Sequence, residues 1–206
     1  MELLPEQMQN MLIRKSLPQT SGRSKLQQQQ IVESSDEDSP ITRNNSEQFQ
    51  QEKAECVQQF IKNAFKELFD RPPTEGVFRI PPQLDKQKAI MLKLEQAMYV
   101  NPKLLDTTLL CSCIKNCLRD LSEPLISIQI ASSLRKSMNI LFDKENFHFQ
   151  NLFYILRQLN AISIIPEYKM NAKNLGIVFA PTVFKQYQLG DEKILSILIE
   201  SAYQFQ

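Results

Sequence analysis

The sequence predicts an all-α fold, a single helical domain over residues 46–206 behind a disordered tail over residues 1–45, and three observations carry that prediction. Apolar residues recur at spacings of three and four along five segments of the chain, the pattern of helices that bury one face. Only four glycines, Gly22, Gly76, Gly176 and Gly190, are available, too few for the many tight turns of a sheet-rich chain. Residues 1–45 are rich in Gln, Ser, Asn and Pro and offer few apolar anchors, so they cannot bury enough surface to offset the entropy of ordering. With 206 residues in all, the remainder is long enough to bury about 70% of its unfolded surface.

Taken in order, the tail carries the run Gln27 to Gln30 and the acidic SSDEDSP, in which Ser34, Ser35 and Ser39 flank the acids. A solvated linker is the commoner meaning of such a run, and phosphorylation is the alternative. The first residues hold an acid at position 2, a proline at position 5 and no continuous apolar run, unlike a signal or transit peptide. No stretch approaches the roughly 18 apolar residues of a membrane span, which makes the cytoplasm the expected compartment. From about Ser46, Cys56, Phe60, Ala64, Phe65, Leu68 and Phe69 recur at helical spacing until Asp70-Arg71-Pro72-Pro73 ends the helix. Further stripes are Leu84, Ile90, Met91, Leu94, Ala97 and Met98; Leu110, Cys113, Ile114, Cys117 and Leu118; Phe149, Leu152, Phe153, Leu156 and Leu159; and Ile194, Leu195, Leu198 and Ala202. Residues 175–184, LGIVFAPTVF, fit a buried strand as well as a helix by periodicity alone, and the helical bundle remains the preferred reading.

Composition narrows the function. A net charge of +1, with 42% hydrophobic and 23% charged residues, gives no electrostatic case for nucleic acid or an acidic membrane. No glycine-rich phosphate loop is present, so the chain is not expected to hold a nucleotide of its own. Three of the four cysteines, Cys111, Cys113 and Cys117, share one apolar helical segment with Cys56 apart, which reads as reduced, packed thiols rather than a secreted disulfide framework. Metal ligation is the weaker alternative, because helical geometry turns Cys111 away from the other two and His148 is distant. His148 itself lies in NFHFQ with no supporting motif, and an exposed helix start is the plainer reading. One histidine and no Gly-x-Ser-x-Gly leave a hydrolase poorly supported.

Three separated segments stand out: TEGVFRI, residues 74–80; LLCSCIKNCLRDLSEPLI, residues 109–126; and KMNAKNLGIVFAPTVF, residues 169–184. Together they resemble the GTPase-activating domain of the Rho-family regulators. The first is similar to that family's loop of acid, glycine, apolar residue and aromatic ahead of the arginine finger. The second resembles its helix ending in Leu-Arg-acid-Leu-x-Glu-Pro-Leu, and the third its Lys-Met, three residues, Asn-Leu-Ala helix. Order and spacing fit as well, over roughly residues 50–206. The resemblance implies a RhoGAP-type all-helical bundle that stimulates GTP hydrolysis by a Rho-family small GTPase. It would not be an enzyme on its own, but would complete the partner's active site.

On this resemblance Arg79 is the finger. Negative charge develops on the transferring phosphoryl group and leaving oxygen, so a guanidinium delivered into a dry site stabilises the transition state more than the ground state. Arginine suits the task because its charge is permanent and its planar fork can bridge two oxygens. Gly76 would let the loop turn, while Val77 and Phe78 anchor its base in the core. Without the other segments, an ordinary surface arginine would be the better reading. Lys115 and Arg119 lie four apart and share a helix face, a like-charge spacing that costs about 0.3 kcal/mol in an isolated helix. The resemblance implies that Arg119 braces the finger loop through backbone carbonyls and that Lys115 contacts the GTPase; a solvated face with Asp120 as compensation is the alternative. Asn174 maps onto the asparagine that faces the GTPase, and on local grounds is equally a helix-start residue. Gly176 reads as a helix-packing position.

The chain departs from the family pattern in three places. Ile80 is followed by Pro81 and Pro82 where a hydroxyl residue and a glycine are usual, so the loop exit needs a path without positive φ. Arg71-Pro72-Pro73 replaces a glycine turn, and Tyr168 replaces the asparagine before Lys-Met, which removes an expected polar contact with the partner. A catalytically weak GTPase-binding module of the same fold is therefore the alternative function. No metal and no cofactor of its own is expected, since GTP and Mg²⁺ belong to the GTPase. The expected partner is a GTP-bound Rho-family protein that meets a monomer, with recruitment to membrane or cytoskeleton through that partner.

Overall fold

The computed structural model describes residues 40–137 and 147–205, with side chains from residue 45 and, in the second stretch, over residues 149–203. The expected tail therefore lies outside the described residues, except for its last few. The first helix, α1, runs Pro40–Asp70, starting ahead of Ser46. Residues 45–52 are exposed, with half-buried positions in the turn that follows, and the second half of the helix places Phe60, Ile61, Ala64, Phe65 and Leu68 in the core. The helix stops before Pro72-Pro73, where Arg71 fixes the end by donating to Glu67 at 2.9 Å and to the Pro102 carbonyl at 3.2 Å.

Helix α2 is Leu84–Glu95, anchored by the buried Leu94, with Ile90 and Met91 half-buried. Two members of the expected stripe are not core: Leu84 is 64% exposed, and Met98 lies beyond the helix, 49% exposed. A polar residue replaces them, because Gln87 turns inward and donates to the Ser112 hydroxyl, and a buried amide with a partner is tolerated. After a 3₁₀ turn at Pro102–Leu104, Asp106 caps α3, Thr107–Arg119, by accepting the Leu109 N–H at 2.8 Å. This central helix packs on α1 and α2 and is buried from Leu109 to Ile114 and again at Cys117 and Leu118.

Helix α4, Ile128–Lys136, opens with Ser127 as its cap and is an element that apolar periodicity had not marked. Helix α5 spans Phe147–Ser163; it begins beside His148, whose side chain lies outside the described residues. Its Asn160 amide, buried in the core, donates to the Ile199 carbonyl at 2.9 Å. A 3₁₀ turn at Pro166–Tyr168 leads to α6, Ala172–Val183, then α7, Asp191–Glu200, and a last 3₁₀ turn at Ala202–Phe205.

The ambiguous stretch at 175–184 is helical almost throughout. Pro181 sits in the last turn of α6, where its missing N–H and ring end the helix within two residues. Phe184 then extends and forms an isolated parallel bridge with Ile126: Ile126 N–H donates to the Val183 carbonyl at 2.9 Å and Lys185 N–H to the Ile126 carbonyl at 3.1 Å. Among the described residues α6 and α7 pack more extensively than any other pair. Gly176 permits it, since a Cβ there would lie inside contact distance of the Glu192 carbonyl oxygen and close to the Ser196 N–H. No helix among the described residues is long and apolar enough to cross a membrane.

Candidate functional site

Residues 74–79, between α1 and α2, form two overlapping four-residue turns. Val77 N–H donates to the Thr74 carbonyl at 3.3 Å and Arg79 N–H to the Gly76 carbonyl at 2.9 Å. Each turn has its third residue in the left-handed region, Gly76 and Phe78, both at φ 70. Glycine is the natural occupant of such a position, and at Gly76 no neighbour lies within 4 Å of where a Cβ would stand, so backbone conformation alone requires it. Phe78 is the exception, and non-glycine residues held there cost about 1–3 kcal/mol.

Burial of the ring offsets that cost. Phe78 is 2% exposed, edge-on to Phe179 of α6 with centroids 4.9 Å apart and tilted against Phe65 of α1 at 6.4 Å. Full burial of such a side chain contributes about 2–3 kcal/mol. Val77 beside it is also buried. The expected anchoring of the loop base is thus observed, and Arg79, next in sequence, is exposed. Its guanidinium carries no hydrogen bond or ion pair to the described residues.

The loop is held from two further sides. From α3, the Lys115 ammonium donates to the Phe78 carbonyl at 2.7 Å. Burial lowers the pKa of Lys115, as expected for a half-buried ammonium spent on a carbonyl. One turn earlier, Cys111 lies against the Phe78 backbone, and burial pushes its thiol up to about 12. From the opposite side, the Tyr168 carbonyl accepts the Gly76 N–H at 2.8 Å. Tyr168 is itself core, 1% exposed, with its hydroxyl 3.4 Å from the Leu68 carbonyl.

Arg119 does not reach the loop. Its guanidinium pairs with the adjacent Asp120 at 2.9 and 3.3 Å, with its side chain 56% exposed. The cation of α3 that reaches the loop backbone is therefore Lys115, where the sequence expectation had Arg119, and Arg119 faces outward. Position explains the difference, because Lys115 lies four residues after Cys111, under Phe78, and Arg119 is a further turn along at the helix end. Tyr168, where an asparagine was expected, is a core residue.

Asn174, half-buried, sits in the first turn of α6, and its side-chain amide donates to the Lys169 carbonyl at 3.4 Å. The capping role belongs to Asn171, whose side chain accepts the Asn174 N–H at 2.9 Å. Pro81 and Pro82 meet no demand for positive φ, because the left-handed positions of this loop are 76 and 78, ahead of Arg79, and none lies between Arg79 and α2. Two features were out of reach of sequence reasoning: the strained φ of Phe78 and the pairing of Glu75 with Lys169 at 2.6 Å. The trace of the second in the sequence is a charged residue of each sign within two recognised segments, Glu75 in 74–80 and Lys169 in 169–184.

Burial also pushes the Cys113 thiol up to about 12 and raises that of Cys117, so these are neutral packing groups. Among the described residues no group of three or more His, Cys, Asp or Glu could hold a metal ion.

A model of the RhoGAP domain family matches residues 59–188. Rho GTPase-activating protein 29 of Mus musculus is 36% identical over 67 residues, which are 32% of this chain and only 5% of that protein's length. The crystal structure of the BH domain from GRAF, the GTPase regulator associated with focal adhesion kinase, is similar with a TM-score of 0.60 at 19% identity, covering 73% of this chain and 94% of that one. At that identity the likeness is one of fold.

Proposed function

This chain belongs to the RhoGAP domain family, and we propose that it accelerates GTP hydrolysis by a GTP-loaded Rho-family GTPase with Arg79 as the arginine finger supplied in trans. GTPase activation toward Rho-family partners is the function of the family; the finger and its geometry are our reading of this chain. The observation that carries it is an exposed, uncommitted guanidinium at Arg79 directly after a buried, strained and braced Phe78.

The division of labour follows from preorganisation. A finger that must be ordered at the moment of reaction loses part of its electrostatic advantage, whereas one carried on a fixed loop delivers its charge without reorganisation. Phe78, Lys115 and the Tyr168 carbonyl fix the loop; Arg79 projects from it beside the γ-phosphate. GTP and Mg²⁺ are held by the GTPase, and this chain supplies charge and exclusion of water. Arg119 and Asn174 contact the partner, and the chain acts as a monomer wherever its GTPase resides.

Single-turnover GTP hydrolysis by a panel of Rho-family proteins, with and without the chain, tests the proposal. Acceleration of at least one member is expected. Binding to GTP-loaded members without acceleration would instead establish a GTPase-binding module of the same fold.

A further inference from the structure

Lys169 touches both halves of the site. Its ammonium lies 2.6 Å from the Glu75 carboxylate, the residue before Gly76, and its carbonyl accepts the Asn174 amide at 3.4 Å. The residue stands at φ 51, a left-handed corner that closes the 3₁₀ turn through its N–H on the Pro166 carbonyl at 3.0 Å. Immediately before it, the buried Tyr168 takes the Gly76 N–H at 2.8 Å. The corner is thus pinned to the core, while the pair above it is open to solvent, with side chains 64% and 66% exposed. An ion pair that exposed shifts an equilibrium by roughly fivefold at most. Such a shift is small for the fold as a whole but large for the posture of a short loop whose entry has one backbone bond to the corner.

We infer that Lys169 and Glu75 are a positioning pair for the finger, holding the entry of the loop in register with the start of α6 so that Arg79 and Asn174 meet the GTPase in one frame. Neither residue touches the reacting atoms. The inference rests on the proposed function for its catalytic consequence and on the free protein for its structural one, so the two are separable.

The full chain is compared with Glu75→Lys, Lys169→Glu, the double exchange of both, and Lys169→Arg. Every variant keeps a Cβ at the left-handed corner, so backbone strain is common to all. Two quantities are read: hydrogen exchange of the Gly76 amide in the free protein, and the maximal single-turnover hydrolysis rate of a Rho-family GTPase with its half-saturating chain concentration. Each single reversal is expected to speed Gly76 exchange and to lower the maximal rate, both by about two- to fivefold, with half-saturation nearly unchanged. The double exchange and Lys169→Arg recover both quantities, and the differences shrink in about 0.5 M salt, where the Debye length is only about 4 Å. Unchanged Gly76 exchange in the single reversals would overturn the inference whatever the rates do. So would a double exchange that combines the two losses, or a loss confined to half-saturation, since either makes these residues independent partner contacts. If the unaltered chain accelerates no GTPase, the proposed function fails, and the exchange measurement still decides the pair.

Discussion

Phe78 shows how a residue's cost and its use are tied together. Its backbone stands where glycine belongs, and from that backbone its ring is buried in the core while the next residue, Arg79, is exposed. Lys115 completes the arrangement by holding the carbonyl on which the turn pivots. A charge-assisted bond of this kind contributes about 1.5–3 kcal/mol. We therefore expect Lys115→Met, which keeps the side-chain length and removes the ammonium, to lower the maximal hydrolysis rate by roughly tenfold while changing half-saturation little. A change in half-saturation alone would return Lys115 to the partner-contact role. At this scale the sequence was informative about identity and less so about role. The TEGVFRI pattern located Arg79, Gly76 and Phe78 without a structure. Which of two cations one helical turn apart reaches a carbonyl depends on the rotation of α3 against the loop, and no local pattern encodes that.

Helices were legible where their apolar faces were long and continuous, as in α3 and the second half of α1. They were misread where a polar group went inside, as with Gln87 of α2, and missed where a nine-residue helix, α4, presented few apolar positions. Residues 175–184 were ambiguous because the exposed side of α6 also carries apolar residues, Ile177 at 55% exposed and Pro181 a turn later, which erases the polar–apolar periodicity that separates a helix from a strand. The contact of α6 with α7 is where small size matters most. Gly176→Ala places a methyl group against the Glu192 carbonyl, and overpacking of this kind costs about 1–3 kcal/mol or more; urea unfolding should show a lower midpoint with an unchanged slope. The start of α7 is held by a second device. Asp191, with its side chain 1% exposed, accepts from Arg135 of α4 at 2.8 and 2.6 Å and from the Gln188 N–H at 2.8 Å. Burial works against its charge, but these bonds and the positive charge of Arg135 more than offset it and hold the carboxyl below the ordinary aspartate range. A carboxyl with a depressed native pKa contributes stability that is fully present above the unfolded value, about 3.9, and is lost as pH falls through the native one. Asp191→Asn should cost about 2–3 kcal/mol at neutral pH. It should also flatten the acid limb of the stability profile below about pH 4, as read by chemical unfolding across pH.

Over the whole molecule, four separate elements converge beneath one short loop: α1 through Phe65, α3 through Lys115, α6 through Phe179, and the 3₁₀ corner through Tyr168. Under the proposed function the bundle would serve as a mount for the exposed Arg79 guanidinium, which is what a transition-state stabiliser supplied in trans requires. The family pattern carried the fold and the place of Arg79 because it records residue types at fixed spacing; the convergence beneath the 74–79 loop depends on contacts between segments up to about a hundred residues apart, such as Tyr168 with Leu68. Whether Arg79 is the finger is decided by comparing Arg79→Ala and Arg79→Lys with the unaltered chain in single-turnover hydrolysis at saturating concentration. Arg79→Ala is expected to lose on the order of a hundredfold or more of the acceleration while still binding the GTP-loaded partner, and lysine to restore little of it, because an ammonium lacks the bidentate fork. Full acceleration by Arg79→Ala would contradict that assignment.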